Sequence, residues 1–158
     1  MALDCSGAGT CAGGWPIKVS PMYINTGSAS HRNYPYTGVQ GTCNQSKFGS
    51  LMKLSGAKSG YIAKTESTFE DWNAARVLSV IISVNRNFMM YKSGVFNDYT
   101  CETQRTGLHA ITLNGYSKSG KYWILRNSWG SRWGESGYFR LYKGANICGV
   151  LRYGLYIN

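Results

Sequence analysis

Acidic side chains are scarce in this sequence. Seven Asp and Glu stand against 17 Lys and Arg in 158 residues, a formal net charge of +10. A nucleic-acid partner would need that charge on one face or interleaved with stacking aromatics. No three Lys or Arg are consecutive, and the 12 Tyr and 5 Trp fall largely in strand and turn patterns, where packing is the default. Neither nucleic acid nor a membrane is therefore expected as a partner. The basic surface reads as solvated, acting on acidic partners through steering alone. Long apolar runs are missing too, and none approaches a membrane span. Residues 1–14 have neither the basic start nor the apolar core of a secretory signal. Repeats and low-complexity linkers are also absent. What remains, 43% hydrophobic residues and 20 glycines, fits a loop-rich globular protein long enough to bury a core.

Two blocks follow one another along the chain. Residues 1–60 are turn-rich, with one helical candidate after Gly13-Gly14 that opens at Trp15-Pro16 and is interrupted by Pro21. Ser67-Thr68-Phe69-Glu70 has the form of a capping box and predicts a helix over residues 67–76. From residue 77 the pattern changes to strands, at 77–84, 109–116, 121–126, 138–142 and 151–156. Lys118-Ser119-Gly120 supplies the turn between the second and third of these.

The richest stretch runs from Leu108-His109-Ala110 through Asn127-Ser128-Trp129-Gly130 to Trp133-Gly134-Glu135-Ser136-Gly137-Tyr138. A hairpin over residues 109–126 brings the start of one strand and the end of the next to the same edge. His109 and Asn127 become neighbours there, with the Trp129 indole placed to cover their contact from water. That trio suits a cysteine nucleophile. A thiolate attacking a carbonyl needs an imidazole to take its proton and later protonate the leaving group. The imidazole needs a third group to fix its tautomer, and an amide oxygen does this without adding charge. The plainer alternative is a structural histidine beside a turn asparagine. It would account for a lone His, but not for the NSWG and WGESGY elements that follow.

These elements resemble the papain-like cysteine peptidases, the cathepsin L and plant papain group. Asp4-Cys5-Ser6 followed by Cys11-Ala12-Gly13-Gly14-Trp15-Pro16 resembles the family's disulfide-and-diglycine segment. Tyr34-Pro35-Tyr36-Thr37-Gly38 resembles its YPY turn, Tyr91-Lys92-Ser93-Gly94-Val95-Phe96 its strand before the histidine, and Cys148-Gly149-Val150 its closing cysteine segment. All occur in family order. The resemblance implies an α+β, papain-like two-domain fold with the cleft between the domains. Residues 1–60 would be the remainder of the helical left domain and residues 61–158 most of the β-barrel-like right domain. It implies catalytic roles for His109 and Asn127, support from Trp129, and no metal or cofactor. It also implies disulfides Cys5–Cys43 and Cys101–Cys148, leaving Cys11 without its family partner. The odd cysteine count alone leaves open the alternative of five free thiols in a cytosolic protein. Disulfides point instead to a secreted or lysosomal/vacuolar protein. Asn44-Gln45-Ser46 fits a glycosylation acceptor triplet.

One half of the site is not in the sequence. The family's nucleophile sits in a C-G-[SA]-C-[WY] segment about 130–150 residues before the histidine, whereas only 108 residues precede His109. None of the five cysteines is followed by an aromatic residue, and the family's oxyanion glutamine belongs to the same absent segment. The expectation is the C-terminal portion of a cysteine endopeptidase, inactive alone, whose complete form cleaves peptide bonds through an acyl-thioester. Its expected partners are a peptide or protein substrate, the missing N-terminal segment of the same domain, and cystatin-like inhibitors. The alternative is a natural non-catalytic homologue acting as a binding protein, which has no chemical need for the His109–Asn127 pair. By resemblance, substrate contacts fall to Gly13, Gly14, Trp15, Pro16, Ile81, Ala110 and Trp133, with Tyr153 at a pocket floor that carries no carboxylate. Leu108 stands where the family usually has Asn or Asp, and Pro21 interrupts a normally continuous helix, which marks a divergent member.

Overall fold

β-Branched residues crowd the segment Leu78–Val84. In the computed structural model, which describes all of Met1–Asn158, this segment is a strand buried along nearly its whole length. The chain divides into two units, Met1–Gly60 with Ile157–Asn158 and Tyr61–Tyr156. The last two residues thus fall with the first block rather than the second. Lys58 and Asn158 exchange backbone hydrogen bonds of 2.7 and 2.8 Å, which fastens the terminus there.

The first unit is built from short pieces. A helical turn at Ala2–Cys5 is tied by the Cys5–Cys43 disulfide, and small antiparallel ribbons pair Gly9–Thr10 with Gly13–Gly14 and Ser28–Ala29 with Leu51–Met52. The expected helix after Trp15 is two separate turns, a tight one at Pro16–Val19 and a wider one at Met22–Thr26. Pro21 lies between them, because a residue without an N–H cannot continue the first turn and is suited to opening the second.

The second unit comprises α1 (Glu66–Ala75), β1 (Leu78–Val84), α2 (Arg86–Met89), β2 (Val95–Phe96), β3 (Gly107–Ser117), β4 (Tyr122–Arg126), β5 (Tyr138–Tyr142) and all but the last residue of β6 (Gly154–Ile157). Its strands lie in the order β6-β1-β3-β4-β5-β2, antiparallel except for the β5–β2 pair. Alternate residues face one core: Leu78, Val80, Ile82 and Val84 of β1, Ile111 and Leu113 of β3, Trp123 and Leu125 of β4, and Phe139 and Leu141 of β5. Phe69 of α1 and Phe88 of α2 close it. The Cys101–Cys148 disulfide is buried in the same cluster. Bridging residues 47 apart contributes about 4 kcal/mol in the chain-entropy picture. No helix is long and apolar enough to cross a membrane.

Three of the differences from the sequence reading have identifiable causes. The helix cap is Thr65, whose hydroxyl accepts from the Thr68 N–H at 3.2 Å, so the expected Ser67 capping box does not form. Glu70 is drawn instead to Lys143 and, at 3.4 Å, to Lys118. Lys121 has a left-handed φ of 51° and belongs to the turn before β4. Residues 151–153 are not strand, because the Leu151 N–H is held by the Asn146 side chain at 2.9 Å and the ladder begins only at Gly154.

Asp98 fastens α2. Asn85 caps that helix by accepting from the Phe88 N–H at 2.9 Å, and donates its own Nδ2 to Asp98 at 2.9 Å. Asn87 and Thr100 also donate to the carboxylate. Burial alone would raise the Asp98 pKa, but these donors outweigh it and hold the group well below the usual carboxylate range. A lowered folded pKa means stabilisation that is complete above the ordinary aspartate pKa and is lost as pH falls towards the folded value. We expect Asp98→Ala to cost about 2 kcal/mol near neutrality. In urea unfolding that difference should shrink between about pH 5 and pH 2. A difference constant across that window would contradict the assignment.

Candidate active site

The β3–β4 hairpin sets the geometry. Its register pairs Thr112 with Arg126 and Leu113 with Leu125, then slips by one residue at Asn114 before Gly115 meets Ile124. His109 shares the core-facing side of β3 with Ile111 and Leu113, opposite Ile82 of β1, and sits at the rim of the core. Leu108 alternates to the other face, so it does not stand beside the imidazole on its own strand. Past Arg126 the chain leaves β4, and the Asn127 N–H bonds the Gly137 carbonyl at 2.8 Å.

His109 Nε2 lies 2.8 Å from Asn127 Oδ1. The same oxygen accepts from the Ser128 N–H at 2.7 Å, which identifies it as the acceptor end of the amide. Nε2 must therefore carry the proton, and the neutral ring keeps its lone pair on Nδ1. A base with its acceptor nitrogen opposite the one fixed by the amide is what proton transfer from a thiol requires. The Trp129 ring stacks on the imidazole at 4.9 Å and 25°, shielding the His–Asn bond on one side. Behind it, Phe88 meets Trp129 edge-on at 5.6 Å and Trp133 at 5.2 Å.

The loop carrying Trp129 is fixed in turn. Glu135 accepts from Arg140 through both guanidinium Nε and NH2, at 3.0 and 2.6 Å, and from the Gly94 N–H at 2.9 Å. Hydrogen bonding from Arg140 is the chief cause holding the Glu135 carboxyl below its ordinary pKa, against the opposing effect of burial. Gly134 has φ +57°, and a Cβ there would meet the Tyr138 carbonyl oxygen at 2.5 Å, so the WGESGY spacing needs glycine at that point. Phe88 was not singled out from the sequence; its signal was the Asn85 cap three residues earlier. Neither were Glu135 and Arg140, whose pairing depends on the turn between them.

Ile81 and Ala110 form a cross-strand pair on the face of the sheet away from the core, and the Ile81 N–H bonds the Tyr153 carbonyl at 3.3 Å. The Tyr153 ring lies 6.0 Å from that of Tyr61, with Lys64 Nζ 5.7 Å from its centroid. These three expected pocket residues are therefore adjacent. Trp133 differs: its ring packs against Phe88, Tyr91, Trp129 and Phe139, and its indole N–H bonds the Met89 carbonyl at 3.0 Å, a supporting position. In the first unit, Gly13-Gly14 is an exposed ribbon edge, and a Cβ on Gly14 would lie 2.8 Å from the Ala8 carbonyl oxygen. Trp15 follows directly and precedes the turn that Pro16 opens. Cys11 is an exposed free thiol at the tip of that ribbon, while the other four cysteines form Cys5–Cys43 and Cys101–Cys148. No group of three or more His, Cys, Asp or Glu side chains is arranged to hold a metal.

Nitrogen-15 NMR of the imidazole checks the tautomer. Neutral His109 should carry its proton on Nε2, and Asn127→Ala should mix the two tautomers. A dominant Nδ1–H form in the unsubstituted chain would contradict the geometry.

The family description "Papain family cysteine protease" matches residues 1–157. Fruit bromelain of Ananas comosus is 37% identical over 157 residues, taking in 94% of this chain and 43% of that protein. A cathepsin L-like proteinase of Fasciola hepatica is 36% identical over 157 residues, with 94% and 47% covered. The bromelain protease from Ananas comosus, solved in complex with the E64 inhibitor, superposes with a TM-score of 0.85 at 35% identity, covering 99% of this chain and 75% of that one. The chain thus spans less than half the length of the two relatives compared by sequence. With a match over nearly every residue and the α+β papain-like architecture in place, the chain belongs to the papain family of cysteine proteases.

Proposed function

We propose that these residues supply the proton-transfer half of a thiol endopeptidase, His109 acting as base and acid and Asn127 as its orienting partner. The supporting observation is the 2.8 Å bond from His109 Nε2 to Asn127 Oδ1, which leaves Nδ1 as the acceptor nitrogen. The nucleophile comes from a cysteine outside these 158 residues. His109 Nδ1 takes the thiol proton as the sulfur bonds the peptide carbonyl carbon. It then gives that proton to the amine as the C–N bond breaks, leaving an acyl-thioester. Water attacks the thioester while His109 accepts its proton, and the thiolate departs. Cys11 pairs with a cysteine of the same outside segment. Two disulfides suit an oxidising compartment, and we place the protein outside the cell or in a lysosome or vacuole. Peptide or protein substrates and cystatin-like inhibitors are its partners, without nucleic acid, membrane or cofactor.

Substrate choice follows from the second unit's lining. Ile81 and Ala110 offer an apolar surface beside Tyr153. Lys64 over the Tyr153 ring puts a cation where an arginine side chain would need a carboxylate, and a buried unpaired charge is costly. The pocket therefore takes Val, Leu or a similar medium side chain at the second position before the scissile bond.

These residues alone should neither turn over a fluorogenic peptide nor label stoichiometrically at an active-site thiol. Turnover that His109→Ala abolishes would overturn this. In the complete protein, His109→Ala should lower kcat/KM by ~10²–10⁴-fold. Unchanged turnover there would remove His109 from the proton transfer, and no turnover by the unsubstituted complete protein would leave a binding protein.

Substrate profiling of the complete protein gives the second check. Leu at the second position should be cleaved faster than Arg, and Tyr153→Ala should admit Phe. Faster cleavage with Arg than with Leu at that position would show the pocket assignment to be wrong.

A further inference from the structure

Neither the core nor the proposed reaction uses the triplet Asn44-Gln45-Ser46. We propose that Asn44 is an N-glycosylation acceptor, taking an oligosaccharide from a lipid-diphosphate donor. No other asparagine of the sequence is followed two positions later by Ser or Thr. The local geometry suits the chemistry. Asn44 Oδ1 accepts from both the Ser46 N–H at 3.1 Å and the Ser46 hydroxyl at 2.6 Å. Two donors on that oxygen draw density from the amide and acidify Nδ2–H, the group that must become a nucleophile. In the transfer, Nδ2 bonds the anomeric carbon of the donor sugar as that carbon's bond to the diphosphate oxygen breaks. The lipid diphosphate leaves with the electron pair, and one Nδ2 proton passes to a base.

The site also tolerates the product. Residues 44–47 are all exposed, so a bulky, hydrated glycan displaces no packed side chain. The turn is also held from behind. Cys43 is bonded to Cys5, and the Asn44 N–H reaches the Tyr34 hydroxyl at 3.4 Å. The Tyr34 ring in turn lies 6.1 Å from that of Phe48. An acceptor one residue from a disulfide fits a chain that folds in an oxidising secretory compartment, and the proposal rests on that reading of the cysteines.

The test translates the full chain, behind a secretory leader, in the presence of microsomal membranes. Chains protected from added protease have crossed the membrane, and these should gain a mass increment that peptide N-glycosidase removes. Asn44→Gln and Ser46→Ala should abolish the increment, and Ser46→Thr should keep it. Protected chains without the increment, or an increment that survives Asn44→Gln, would overturn the proposal. Because the leader decides entry, failure here is distinct from failure of the compartment reading. The latter would appear as free Cys5 and Cys43 thiols in the native chain.

Discussion

The bond between His109 and Asn127 is a statement about strand register. The two residues are 18 apart and meet only because β3 and β4 pair with Thr112 opposite Arg126. A slip of one residue would turn His109, Ile111 and Leu113 together to the opposite face and so separate His109 from Asn127. Burial of those side chains, at ~25 cal/mol per Å² of apolar area, therefore enforces the register that joins imidazole to amide. Core and site are specified by the same alternation. The slip at Asn114 lies beyond Leu113, on the side away from the site, and the pairing of β3 with β1 from Leu113 to Gly107, His109 included, stays regular.

A second layer fixes where the imidazole can point. Trp129 is held by Phe88 and Trp133, and those rings are buried or half-buried against Phe139. Aromatic pairs of this kind add roughly 0.5–1.5 kcal/mol each beyond area burial. Truncating Phe88 in such a cluster would cost about 3–5 kcal/mol, much of it through the cavity left behind. The loop reaching Trp129 is irregular and Gly-rich, which would leave it loose were Glu135 not clamped to Arg140 and the Gly94 N–H. Rigid aromatics below and a charged clamp at the side do for this loop what strand pairing does for His109.

Much of this was legible in the sequence, unevenly. The strands at 78–84, 122–126 and 138–142 declare themselves through apolar alternation or continuous burial, and their bounds shifted by at most one residue. The meeting of His109, Asn127 and Trp129 was readable because a hairpin over residues 109–126 brings its two ends to one edge. The Thr65 cap was missed because Ser67 and Glu70 imitate a capping box, while the tertiary pull of Lys143 on Glu70 is invisible locally. Residues 151–153 look like the start of a strand, yet the Asn146 side chain, five positions earlier, competes for the Leu151 N–H. The packing role of Trp133 was hidden for the same reason: a tryptophan in a motif does not say which of its neighbours it faces.

The scarcity of acidic residues takes on meaning once the contacts are known. Asp4 accepts from the Tyr34 hydroxyl and the Gly41 N–H, and Glu66 from the Gly144 N–H. Glu70 pairs with Lys143, Asp98 gathers Asn85, Asn87 and Thr100, Glu102 meets Arg152, and Glu135 meets Arg140. Of seven carboxylates, only Asp71 has no such contact. Nearly every acid in the chain is thus a fastener between segments that are distant or differently structured, and the few that remain are those the fold uses. Most of the cations have no such partner, so the folded surface keeps a positive field that screening by salt reduces but does not abolish. That field would concentrate anionic protein surfaces around the molecule. The basic balance is then the consequence of retaining only the structural carboxylates, and no separate binding role is required to explain it.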